Sequence, residues 1–217
     1  MVGEDEISLR ILGVNSGEEI ACARRVEIRT TRGDIPLVLH GAEPPGRIAL
    51  CICGAIGGFD GPALLYARMG LELPPLGIGV ARLNYRMPNE FGECVVDTMA
   101  GLTFLKSIGY ARAALIGHSF GGAVAINAGT LAPAVTTVIA LSSQLAGAHV
   151  VGELAPRPLL LLHGTADTIL SHECSQILYE RAREPRTLQL FDGADHRFTH
   201  AGDELYGTVR DWLLRRL

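Results

Sequence analysis

Ser119 stands in Gly117-His118-Ser119-Phe120-Gly121-Gly122, behind an apolar run at 113–116 and ahead of a small-residue helical pattern at 123–128. The arrangement reads as strand, sharp turn and helix, with the serine at the turn. Such a turn strains the backbone of its central residue and needs small neighbours two positions away, which Gly117 and Gly121 supply. The strain pushes the hydroxyl out above a sheet edge, where a base can reach it. A serine hydroxyl is a weak nucleophile at neutral pH, so it needs a base within hydrogen-bond reach and a third group to orient that base. Two later segments carry them. Residues 159–162 form a buried-strand pattern that runs on through His163-Gly164-Thr165-Ala166 to Asp167. Residues 187–191 form another, followed by Asp192-Gly193-Ala194-Asp195-His196. In this reading Ser119 is the nucleophile, His196 the base and then the acid, and Asp167 the group that orients the imidazole and stabilises its cation.

Other residues compete for these roles. His118 neighbours the serine but points elsewhere on the turn and reads as a packing residue. His163 reads as structural, and His172 and His200 as surface residues. Asp192 and Asp195 share the His196 loop, whereas Asp167, on a separate loop, suits the triad template better. The bland alternative is a turn serine and a loop histidine in a protein that only binds. A tetrahedral intermediate also needs two donors aimed at its oxyanion. The N–H of Phe120 is one; the loop at 53–61, rich in glycine, supplies the other, from Ala55 or alternatively Ile56. The rival reading of that loop, a phosphate cradle, lacks the Lys-Ser/Thr pair and the glycine spacing such loops use.

These residues need strands to carry them. Residues 25–31 alternate like a strand, 31–34 signal a turn, and 35–40 return. Residues 48–53 are continuously apolar, as in a strand buried on both faces. The pattern then alternates: helix 62–69, strand 79–83, helix 93–108, strand 113–116, helix 120–131, strands 137–141 and 159–162, helix 172–183, strand 187–191 and helix 202–217. Alternating strands and helices imply an α/β fold, a mostly parallel central sheet with helices on both faces and antiparallel opening strands. Residues 7–14 read as an edge strand or a loosely held tail. No linker or repeat divides the 217 residues, so 1–217 reads as one domain, with 1–20 its least defined part. All three chemical motifs fall at strand carboxyl ends, where such sheets form their sites.

Composition narrows the class. An apolar fraction of 48% allows a sizeable core, and 19% charged residues fits a compact enzyme. A net charge of −4 with no basic stripe argues against a nucleic-acid partner. The apolar runs are strand-sized, so no membrane span is expected, and the acidic residues 1–6 do not read as a secretory signal. Five cysteines without framework spacing point to reduced thiols in a cytoplasmic compartment. Cys51 and Cys53 alternate along one strand and read as small buried side chains sharing a face rather than as a metal or redox pair. No metal or organic cofactor is implied, and oligomeric state is not legible.

The Gly117–Gly122 turn, the His163-Gly164-Thr165-Ala166-Asp167 segment and Gly193-Ala194-Asp195-His196 resemble the α/β-hydrolase superfamily. Cys53-Gly54-Ala55 looks like that superfamily's His-Gly-x oxyanion segment with Cys in the His position, and Leu83-Asn84-Tyr85-Arg86 is similar to the segment after its next strand. The resemblance covers residues 25–217, and the short form looks most like the small, dienelactone-hydrolase-like esterases. Dienelactone hydrolases proper use a cysteine nucleophile; Ser119 turns the expectation toward a serine esterase. Family members often carry a lid after the strand that follows the nucleophile helix, and residues 142–156 are too short for one. The resemblance therefore implies an open site that hydrolyses short-acyl carboxylic esters, a small-molecule substrate, through an acyl-serine intermediate. The same triad serves a thioesterase, a small-peptide hydrolase or an acyltransferase. Ile56, Phe59, Met87, Phe91, Ser143, Gln144 and Leu145 are the expected pocket walls.

Overall fold

The computed structural model describes residues 8–217. The acidic start and Ile7 lie outside the described residues. In chain order the elements are β1 (Ile11–Ile20), β2 (Ala23–Thr30), β3 (Gly33–His40), β4 (Arg47–Ile52), α1 (Leu65–Glu72), β5 (Gly79–Leu83), α2 (Phe91–Ser107), β6 (Arg112–His118), α3 (Phe120–Leu131), β7 (Val135–Leu141), β8 (Leu159–Gly164), α4 (Glu173–Arg181), β9 (Arg186–Phe191) and α5 (Gly202–Arg216). The nine strands form one sheet ordered β1-β2-β3-β5-β4-β6-β7-β8-β9. β1, β2, β3 and β5 pair antiparallel in turn, and every pair from β5–β4 to β8–β9 is parallel.

The central strands are apolar throughout because helices cover both faces. Ile48, Leu50 and Ile52 of β4 pack with Leu102, Phe104 and Val124 of α2 and α3. Ala49 and Cys51 face the other way, onto Leu65, Met69, Val209 and Leu213 of α1 and α5. Cys51 and Cys53 thus sit in different halves of the core, not on one face, because Cys53 lies beyond the strand end, where the chain turns over Tyr85 and Phe120. Burial pushes both thiols up, Cys53 to about 12 and Cys51 further, so both stay protonated.

Two local readings change. The edge strand begins at Ile11 and runs to Ile20, later and longer than 7–14. Its second half is polar and exposed, and antiparallel pairing with β2 across a tight turn at Ala21 and Cys22 holds it. The helix expected from Pro62 is a 3-10 turn, Pro62–Leu64, broken by positive φ at Ala63 (46°) and Leu64 (57°). α1 starts after it, so that Leu65, Tyr66 and Met69 land in the core.

The strand order reverses at β4: the chain leaves it for β5 on one side, then returns to β6 on the other. Carboxyl ends diverge at such a point and leave a crevice. A short arch braces the crevice loop after β4. The Tyr85 hydroxyl donates to the Cys53 carbonyl at 3.1 Å, and Asn84 Oδ1 accepts from the N–H of Gly58 at 3.1 Å. Arg86 pins that arch. Its Nε donates to Asp97 Oδ1 at 2.5 Å, its backbone N–H to Asp97 Oδ2 at 2.9 Å, and its Nη2 to Glu93 Oε2 at 2.7 Å. Arg32 also pairs with Glu93. Between β7 and β8 only a 3-10 turn, His149–Glu153, intervenes, so no helical lid covers the crevice. Among the described residues no helix is long and apolar enough to cross a membrane.

The Asp97 side chain is 0% exposed and that of Arg86 4%. Without Asp97 the guanidinium keeps Glu93, but the Arg86 Nε and backbone N–H lose their acceptor, at a cost of about 1–3 kcal/mol. Asp97→Ala is therefore expected to lower the urea midpoint by that free energy; a midpoint within about 0.5 kcal/mol of the parent would show that the arch does not depend on this pair.

Candidate active site

Ser119 lies between the last residue of β6 and the first of α3, at φ 58° and ψ −121°. A side-chain-bearing residue at positive φ is strained by about 1–3 kcal/mol and persists only where its surroundings hold it. Here the glycines let the backbone close on itself. A Cβ on Gly117 would lie 1.9 Å from the Gly121 carbonyl oxygen, and one on Gly121 would lie 2.2 Å from the Cys53 carbonyl oxygen. The Ser119 N–H donates to the Leu141 carbonyl at 2.8 Å, tying the turn to β7. The serine side chain makes no helix-capping bond, so its hydroxyl is left to the crevice.

Asp167 follows β8. Its Oδ1 accepts the N–H groups of Ile169 and Leu170, each at 2.8 Å, and its Oδ2 accepts from His196 Nδ1 at 2.7 Å. Burial pushes this carboxyl up, but the Leu170 and Ile169 N–H groups and His196 outweigh it and hold it below the ordinary range. Nδ1 faces a carboxylate and must carry the proton, which leaves Nε2 of His196 as the lone-pair nitrogen. The two rival carboxylates are occupied elsewhere. Asp195 accepts the N–H groups of Arg197 and Thr199 and the Thr199 hydroxyl, and Asp192 accepts the Thr165 hydroxyl. The Asp167 and His196 loops are clamped together: the N–H of Ala166 donates to the Ala194 carbonyl at 3.0 Å, and a Cβ on Gly164 would lie 2.1 Å from that same oxygen.

His118 joins the serine turn to the His196 loop. Its Nε2–H donates to the His196 carbonyl at 2.9 Å, and its ring lies tilted on the His196 ring with centroids 4.7 Å apart. Burial pushes it down to about 4, so it is neutral at physiological pH.

Ser119, His118 and His196 line one cleft of about 440 Å³ together with Gly54, Ala55, Ile56, Phe59, Ile169 and Arg197. Among the described residues no hydrogen bond joins Ser119 Oγ to His196 Nε2; such bonds are often long until substrate is bound. A Cβ on Gly54 would lie 3.8 Å from Ser119 Cβ, so the loop after β4 runs beside the serine. The Gly57 N–H is taken by the Gly54 carbonyl, while those of Ala55 and Ile56 have no backbone acceptor. The Phe120 N–H opens α3, where first-turn amides lack intrahelical partners and the helix dipole favours negative charge. A larger hollow of about 720 Å³ lies among Ala63, Arg68, Asp192, His200 and Asp203 and contains none of Ser119, Asp167 and His196. Among the described residues no cluster of His, Cys, Asp and Glu could hold a metal ion.

The cleft brings together Ala55, Ile56 and Phe59 as expected, but not the other wall residues. Met87 is exposed at the arch. Phe91 packs edge-on against Phe120 at 5.8 Å. Ser143 is buried against Gly122, Leu145 packs on the α2–α3 half of the core, and Gln144 spends its amide on the Ala146 carbonyl. Each was placed by loop position alone, and the turn at 142–147 folds back under α3. Ile169 and Arg197 also line the cleft, which the sequence reading does not foresee; the available signal is that Ile169 lies two residues after Asp167 and Arg197 directly after His196.

Solved structures share this architecture. A dienelactone hydrolase from Anabaena variabilis superposes with a TM-score of 0.77 at 15% identity, covering 90% of this chain and 98% of that one. Est1E from Butyrivibrio proteoclasticus gives 0.72 at 14%, covering 84% and 94%. The esterase domain of a Rhodothermus marinus protein gives 0.65 at 22%, covering 96% and 99%. The chain has the α/β-hydrolase fold. That order of elements puts the Ser119, Asp167 and His196 turns at the carboxyl ends of β6, β8 and β9, on one edge of the sheet with β7 between the first two. No family model matches the sequence. The uncharacterized protein YfhR of Escherichia coli is 36% identical over 56 residues, a match that spans 26% of this chain and only 20% of that relative.

Two buried histidines and the half-buried His118 make the fold acid-sensitive. His40, His118 and His163 are all held below the ordinary value of 6.5, chiefly by burial, and both His40 ring nitrogens lack a partner among the described residues. The folded state therefore binds fewer protons than the unfolded one, so stability is full above about pH 6.5 and lost as pH falls toward 4. The melting temperature is expected to drop between pH 7 and pH 4.5, with a shallower drop in His118→Asn; equal slopes in both proteins would contradict the burial assigned to His118.

Proposed function

We propose that the protein is a serine hydrolase that cleaves small carboxylic esters through an acyl-serine intermediate. The observation that carries this reading is the 2.7 Å bond from His196 Nδ1 to Asp167, which leaves Nε2 unprotonated in the cleft that Ser119 also lines. In this account His196 removes the Ser119 proton as the hydroxyl attacks the ester carbonyl. The N–H groups of Phe120 and Ala55 receive the oxyanion, and Asp167 stabilises the imidazolium. His196 then gives its proton to the leaving alcohol, and a water activated by the same histidine releases the acid.

The cleft walls support a small, partly apolar substrate. Ile56 is 84% and Ile169 69% exposed at the rim, and the cavity is at the small end of ligand sites. The absence of a lid leaves water access, which favours hydrolysis over acyl transfer. The similarity in fold to an esterase domain and to Est1E, whose structure is also known with ferulic acid bound, agrees with an ester substrate. Short acyl chains are the expected preference.

Purified protein is expected to hydrolyse p-nitrophenyl acetate and butyrate faster than the decanoate. Ser119→Ala and His196→Ala should each lose activity by about ten-thousand-fold or more, and Asp167→Asn by a similar factor through the wrong imidazole tautomer. Retention of parental turnover by folded Ser119→Ala would contradict the reading.

A further inference from the structure

His163 lies four residues before Asp167, at the carboxyl end of β8, and its side chain is fully buried. Its Nε2 lies 3.0 Å from Asp167 Oδ2, the same oxygen that accepts from His196, and 3.0 Å from the Leu170 carbonyl oxygen. Its Nδ1 lies 2.7 Å from the hydroxyl of Ser175, a buried residue on α4. These neighbours settle the tautomer. A carbonyl and an ionised carboxylate have no proton to give, so Nε2 carries the hydrogen, and Nδ1 accepts the Ser175 hydroxyl proton. The result is one buried chain of hydrogen bonds: Ser175 to His163, His163 to Asp167, and His196 to Asp167 from the opposite side.

We propose that His163 is a positioning residue for the reaction, holding the Asp167 carboxylate in the one orientation from which Oδ2 meets His196. The proposal rests on the hydrolase reading above. Oδ1 takes two N–H groups and Oδ2 takes the two histidines, which fills the roughly four acceptor sites of a carboxylate. A carboxylate so saturated neither rotates nor exchanges its oxygens. His163 is the only one of the four donors, besides His196, that reaches Oδ2, so removing it frees that oxygen to turn.

The shared donor also lets the carboxylate respond. When His196 takes the serine proton, its cation pulls harder on Oδ2. The His163 N–H has a second acceptor at the same distance, the Leu170 carbonyl, and can lean toward it without losing a partner. The Oδ2 charge then goes to His196 at the step that needs it. Burial keeps the His163 ring neutral, so it adds a dipole but no competing cation.

The test uses His163→Leu, which removes the donor at similar volume, and His163→Gln, whose amide nitrogen returns a donor near the Nε2 position. A fluorophosphonate that labels reactive serines counts active sites, so that loss of folded protein is divided out. The expected result is a fall in kcat per labelled site of about 10- to 100-fold in His163→Leu with KM within about twofold, and recovery of most of it in His163→Gln. The low-field proton NMR signal of His196 Nδ1–H should be lost in His163→Leu and present in His163→Gln. Parental kcat and an unchanged signal in His163→Leu would overturn the proposal alone, as would equal loss in both variants. If His163→Leu does not fold, Ser175→Ala, which removes only the hydroxyl that holds the His163 ring from its Nδ1 side, takes its place: a kcat reduced about threefold or more supports the proposal, and a parental one overturns it. A parent that neither turns over esters nor takes the label overturns the underlying hydrolase reading, and this proposal with it.

Discussion

Three backbone segments meet at one point: the Gly117 strand end, the first turn of α3 at Gly121 and the Cys53 carbonyl. Ser119 keeps its positive φ only because α3 folds back onto the strand it has just left, and it can do so only where no Cβ intervenes. That contact sets the position of α3 over the sheet. It also aims the first α3 amides into the crevice and ties the serine turn to the loop after β4. The parallel register that sets Ile52 beside Gly117 also places the loop after β4 next to Ser119.

The electrostatics of the site follow a single rule. One ionised carboxylate, Asp167, is surrounded by neutral groups that each aim an N–H at it or at its immediate partners. Burial makes every such bond stronger and makes any second charge expensive, so His118 and His163 are kept neutral, while His196 lines the cleft. The loops that carry these groups hold one another: the His118 ring holds the His196 carbonyl, and Gly164 lets the Ala194 carbonyl approach.

Much of this was legible in the chain. The apolar runs at 48–52 and 159–162 announce strands buried on both faces, since only such strands lack polar alternation, and the glycine spacing around Ser119 announces the turn. Asp167 was separable from Asp192 and Asp195 because a carboxylate on its own loop can approach the ring from the side opposite the serine. Other features were hidden for physical reasons. The polar half of β1 is held by backbone pairing, which leaves no side-chain pattern. Met87, Phe91 and the 143–145 segment depend on how loops fold back in space, which local spacing does not encode. His163 read as structural because a buried histidine beside a strand end is common; its second role appears only when the direction of its Nε2 is known.

The most direct measurement of the central claim is the site of covalent modification by a fluorophosphonate, read by peptide mass spectrometry in the parent and in His196→Ala. The account expects a single adduct on Ser119 in the parent, and almost none in His196→Ala, because the nucleophile depends on that base. An unmodified Ser119 in folded parent protein, or equal modification in the absence of His196, would contradict it.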